Sequence, residues 1–159
     1  MEDRFYKLFG TKKPIIAMVH LGALPGSPLY NKEIGITGLI KEAKKDLEAL
    51  QTAKFDAIMF GNENDRPYQL TVDTASTAAA AYIIGELKKD IQIPFGVDML
   101  WDPIATIALG TATKANFVRE IFTGTYSSDM GIWAPDAGKA LRYRRNLGSE
   151  EMLLFFNIS

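Results

Sequence analysis

Lys13-Pro14-Ile15-Ile16-Ala17-Met18-Val19-His20-Leu21 is the stretch whose reading decides the fold. From Ile15 to Val19 it is continuously apolar rather than alternating, the pattern of a strand covered on both faces. Such strands belong to parallel sheets flanked by helices, and the residues downstream repeat that arrangement. A long turn punctuated by Pro25, Gly26 and Pro28 follows. Leu39, Ile40, Ala43, Leu47 and Leu50 then form an apolar stripe at helical spacing, with Thr37 as the expected N-cap. Lys41, Glu42, Lys44, Lys45 and Glu48 fall largely off that stripe and should be solvated.

The same cycle recurs along the chain. Ala57-Ile58-Met59-Phe60 leads into a helix predicted over about 72–89, whose Ala78–Ala81 run suits close packing on a sheet. Pro94-Phe95-Gly96-Val97-Asp98-Met99 leads to Asp102-Pro103, an N-cap followed by proline at the first helical position. Phe117 to Phe122 is the fourth strand, a helix is predicted over about 135–147 with Gly148 ending it, and Met152 to Phe156 is the fifth strand. Strand–helix alternation without adjacent hairpin strands specifies a parallel sheet with right-handed crossovers. Two architectures fit, a five-stranded doubly wound sheet and a barrel. The first turn lacks a G-x-G-x-x-G fingerprint, and every strand ends in polar residues rather than those at one switch point alone. The mean cycle of about 34 residues, repeated eight times, comes near the usual size of a (β/α)₈ barrel.

The 159 residues fit one domain, and 47% of them are hydrophobic. With 18 basic against 19 acidic residues and no basic block, a nucleic-acid partner is not expected. Cysteine is absent, which excludes disulfides and thiolate metal sites. No apolar run approaches the roughly 20 residues that span a bilayer, and the acidic start Met1-Glu2-Asp3 does not read as a signal peptide. A cytoplasmic protein with no membrane span is expected.

The segments that carry chemistry also carry a likeness. Residues Lys13 to Leu21 followed by Leu24-Pro25-Gly26-Ser27-Pro28, then Phe95 to Pro103, then Arg119 to Gly124, resemble the BtpA family. Together with Ser128 to Trp133 and Leu141 to Arg145, they resemble its SgcQ-like branch. The resemblance implies a TIM barrel, here cut after its fifth strand, with strands six to eight supplied by roughly 100 further residues. It also implies either an enzyme of carbohydrate metabolism or, as for the cyanobacterial members linked to photosystem I biogenesis, a non-catalytic assembly factor. Asp98 stands where the resemblance leads one to expect asparagine.

In such a barrel the active site lies at the carboxyl ends of the strands. The candidate catalytic residues there are His20, Glu63 and Asp98, and the candidate substrate-binding residues are Asn62, Arg119, Thr123, Asp129 and Asn157. Buried polar groups cost free energy unless they are partnered, so their convergence calls for a polar ligand. His20, the single histidine, suits a general base or a ligand; equally, it suits a neutral core histidine. Glu63 and Asp98 suit an acid/base pair or a divalent cation, although no H-x-H or E-x-x-H spacing supports a metal. Arg119 and Glu120 must face opposite sides of a strand; Arg119 is expected in the mouth, where it could hold an anion or pair with Asp98 or Glu63, and Glu120 towards the helices in a structural ion pair. Tyr126 and Asp129 are further candidate contacts in the loop from Gly124 to Ala134, with Trp133 as its anchor. The expected activity is hydrolysis or a lyase or isomerase reaction on a small polar molecule, a sugar or nucleoside with or without a phosphate. Two open apolar edges predict homo-oligomers.

Overall fold

The computed structural model describes residues 3–156. Helix α1 (Arg4–Phe9) opens the chain, capped by Asp3, whose carboxylate accepts from the amides of Phe5 and Tyr6. Five strands follow in parallel array: β1 (Ile16–His20), β2 (Ala57–Gly61), β3 (Phe95–Asp98), β4 (Phe117–Glu120) and, last in the chain, β7 (Leu153–Phe156). Between them run α2 (Gly35–Thr52), α3 (Thr74–Leu87) with a 3₁₀ turn (Lys88–Asp90), α4 (Pro103–Thr113) and α5 (Ala137–Asn146). The loop after β4 carries a small antiparallel hairpin, β5 (Tyr126–Ser128) and β6 (Gly131–Trp133).

The large sheet has the order β1-β2-β3-β4-β7, the order of the chain. Its two faces differ. Val19, Ile58, Phe60, Phe95, Val97 and Val118 pack in one cluster with Leu39, Leu47, Ile83, Ile84 and Ile107, so helices α2 to α5 lie together on one face. Ala57, Met59 and Phe117, with Ile16, Met18, Leu153 and Phe155, line the other face, where Leu8 and Phe9 of α1 cover them. A doubly wound sheet reverses its strand order and places helices on both faces. This sheet keeps the order of the chain, and all the helices that connect its strands lie on one face.

The predicted strands and the Asp102-Pro103 start of α4 are where the sequence places them. Asp102 accepts from the amides of Ile104 and Ala105, and its second oxygen takes the amide of Val72 at 3.0 Å. Two expectations change. Thr37 is not an N-cap: α2 starts two residues earlier, after a turn in which Asn31 Oδ1 accepts from Glu33 and Ile34. The loop from Gly124 to Ala134 is a hairpin, so adjacent antiparallel strands do occur. Its turn needs Gly131 at φ 95°, a conformation that suits residues without a Cβ.

Candidate functional site

The register aligns the strand ends. His20 lies opposite Gly61, and Gly61 opposite Asp98. The pairing of Val97 with Val118 sets Asp98 beside Arg119, which in turn lies opposite Phe155. Alternation puts these positions on the face lined by Met18, Met59, Phe117 and Leu153. The same face is thus apolar towards α1 and polar along its carboxyl edge.

Asp98 is fully buried. Its Oδ2 accepts a hydrogen bond from Arg119 Nη1 at 3.0 Å, while Oδ1 meets no donor. The neighbour it does meet is a second carboxyl. Glu120 is 1% exposed; its Oε2 accepts from the amide of Ile121, and its Oε1, like Asp98 Oδ1, lacks a donor. The two carboxyls lie close enough to act on one another, the charge of Asp98 bearing on Glu120. Burial pushes Asp98 up to about 7, against the downward pull of Arg119 and with a further rise from the charge of Glu63. Burial, then the charge of Asp98, pushes Glu120 up to about 8. Two adjacent carboxylates in a dry site cannot both ionise cheaply, so one proton held between them supplies the missing donor to both. Glu120 was expected in a structural ion pair on the helical side; its carboxyl instead bends back from the last residue of β4 to reach Asp98.

At the rim, His20 Nε2 lies 3.5 Å from Glu63 Oε1, with the imidazole half exposed. Glu63 folds back over the end of β2, a path that requires Gly61: a Cβ there would stand 2.6 Å from Glu63 Oε2. That oxygen is buried without a donor. The structure therefore brings His20, Glu63, Asp98, Arg119 and Glu120 to one edge.

The remaining candidates are placed differently. Asn62 is buried and spends its amide on the next turn, with Oδ1 accepting from Leu100 N at 2.7 Å and Nδ2 donating to Leu100 O at 3.5 Å. Thr106 Oγ1 grips the same turn through Met99 N at 2.9 Å. Asn62 thus positions the chain after Asp98, a duty the sequence reading did not give it. Thr123 and Asp129 are exposed, Thr123 accepting through its carbonyl from the Tyr126 hydroxyl at 3.2 Å. Asn157 lies outside the described residues. Among the described residues, no group of three or more histidines, cysteines or carboxylates could hold a metal ion. Nor is any helix long and apolar enough to cross a membrane.

The model of the BtpA family matches residues 11–159. The chain belongs to the BtpA family. A relative in this family, SgcQ of Escherichia coli (strain K12), named for the sgc region, is 48% identical over 152 residues, which is 96% of this chain and 57% of that protein. An uncharacterised protein of Thermococcus kodakarensis is 36% identical over 87% of the chain and 53% of its own length. The photosystem I biogenesis protein BtpA of Synechocystis is 31% identical over 94% of the chain and 52% of its own length. The chain spans about half the length of the curated relatives it matches. No solved structure matches it.

Proposed function

We propose that the carboxyl edge of the sheet is the substrate site of a proton-transferring enzyme, a hydrolase or a lyase or isomerase, built on the first five strands of a (β/α)₈ barrel. The observation that carries this reading is the buried Asp98–Glu120 pair, in which one oxygen of each carboxyl lacks a donor and burial pushes the two groups up to about 7 and about 8. A group poised near the working pH can both give and recover a proton, which is what general acid–base catalysis needs. Arg119 stabilises Asp98 when that proton leaves. Its side chain is 39% exposed and one nitrogen is on Asp98, so the rest of the guanidinium is available to a carboxylate or phosphate. His20, backed by Glu63, supplies a second proton-accepting group at the rim. This combination suits a small polar substrate, a sugar or nucleoside with or without a phosphate, in a cytoplasmic protein.

A second reading, a non-catalytic assembly factor, takes its support from the name of the Synechocystis relative. A thermal-shift screen of the full-length protein against sugar phosphates and nucleotides separates the two. The enzyme reading expects stabilisation by at least one compound, reduced in the Arg119→Ala variant. No stabilisation by any of them, with His20→Ala leaving the cellular role intact, refutes it.

A further inference from the structure

The β5–β6 hairpin does more than close a loop. Beside the carboxyl edge, against Ile121, a cavity of about 680 Å³ opens between the hairpin and the segment that follows β2. That volume lies within the range of small-molecule sites. Its walls include Tyr68, Trp101, Tyr126 and Trp133, with Ser127 and Asp129 as polar lining. Tyr68 is tied to the candidate site, since its hydroxyl donates to the carbonyl of Glu63 at 2.9 Å.

Where these rings touch, they stand across or tilted to one another. Trp101 meets Tyr68 at 80° and Trp133 at 81°, with centroids 6.1 and 5.6 Å apart, and Tyr126 meets Trp133 at 40°. Ser127 and Asp129 set a hydroxyl and a carboxylate beside these ring faces, so the cavity offers both apolar walls and hydrogen-bonding groups. A saturated ring directs C–H groups to several sides and so suits walls that stand across one another. One of these walls also carries an unmade hydrogen bond, behind the cavity surface: Trp101 Nε1 is shielded from solvent and has no acceptor. Leaving such a donor unpaired costs about 1–3 kcal/mol. A ligand that parts the Trp101–Trp133 contact and offers an edge oxygen would recover it.

We infer that this cavity is a binding subsite for a saturated, hydroxylated six-membered ring, a pyranose. The ring rests on Trp101 and Trp133, a ring hydroxyl accepts from Trp101 Nε1, and Ser127 and Asp129 face the remaining hydroxyls. The subsite rests on the small-molecule reading of the same strand ends and narrows it to a saccharide.

Trp101 and Trp133 are the two tryptophans of the chain, so its intrinsic fluorescence reports on this cavity. The experiment titrates the chain with methyl hexopyranosides and hexose phosphates, and in parallel with adenosine and uridine. The expected result is a saturable change with at least one pyranose and none, or a weaker one, with the nucleosides. Trp133→Leu, which keeps Trp101 as reporter, should weaken binding about fivefold. Trp101→Phe should weaken it by a similar factor through the lost N–H, read from Trp133. Tyr126→Ser keeps both reporters and serves if either tryptophan variant fails to fold. No saturable response to any pyranose, a preference for nucleosides, or unchanged affinity in the folded variants overturns the assignment. Fluorescence reads occupancy without turnover. Failed binding beside a neutral-range carboxyl titration therefore overturns the subsite alone, and the converse overturns proton transfer alone.

Discussion

Asp98 touches one guanidinium and one carboxyl, and Asn62 touches the turn that follows it. Each contact has a measurable consequence. Because burial raises both Asp98 and Glu120, the folded chain holds more protons than the unfolded chain between the ordinary carboxyl range, near 4, and about 8. Stability linked to these groups is fully present below that window and is lost as pH rises through it. Melting temperature should therefore fall as pH rises across this window, and Asp98→Asn should flatten the curve. An equally steep decline in that variant would assign the dependence to other groups. At Asn62 the expectation is simpler. Asn62→Leu leaves the Leu100 amide and carbonyl unpaired in a buried turn, at a cost of about 1–3 kcal/mol measured by urea denaturation.

Among the elements, β3 shows how closely the apolar face is packed. A Cβ on Gly96 would stand 2.2 Å from the Phe117 ring, which itself stacks on Phe155 with centroids 4.9 Å apart. Gly96→Ala should cost about 1–3 kcal/mol by overpacking, read from thermal denaturation. The same elements show what sequence pattern can and cannot disclose. β1 to β4 and β7 were legible because each is a short apolar run between turn residues, and α4 because a capping aspartate precedes a proline. Helix α1 was not foreseen, since a six-residue helix shows too little periodicity to register. The hairpin was hidden by its three-residue strands, although the glycine at 131 marks its turn. Strand alternation sets Arg119 and Glu120 on opposite sides of β4 without deciding which side each takes, and guanidinium chemistry suggested the mouth for Arg119. The carboxyl of Glu120 escapes that rule, because alternation describes where a Cβ points, while the last residue of a strand has room for its carboxyl to fold back. No spacing rule brings residues 98 and 120 together; only the register of β3 against β4 and the bend at Ile121 do so.

At the scale of the whole molecule, β1 and β7 are the edges of the sheet. Ile15 is 63% and Phe156 45% exposed, and an apolar edge with free backbone groups invites pairing. In its 159-residue form the chain should self-associate; sedimentation velocity showing a stable species of 17.6 kDa across the concentration range would contradict this. The sheet gathers helices on one face and, along the carboxyl edge of the other, a row of groups that no single element could assemble. Central to the account is that this edge stores a proton near neutrality. Carbon-13 NMR titration of the aspartate and glutamate side-chain carboxyls tests that claim most directly, with Asp98→Asn and Glu120→Gln used to assign the resonances. The expected result is two coupled transitions, at about 7 and about 8, belonging to the pair rather than to either residue. Complete titration of both groups near 4, the ordinary carboxyl range, would contradict it.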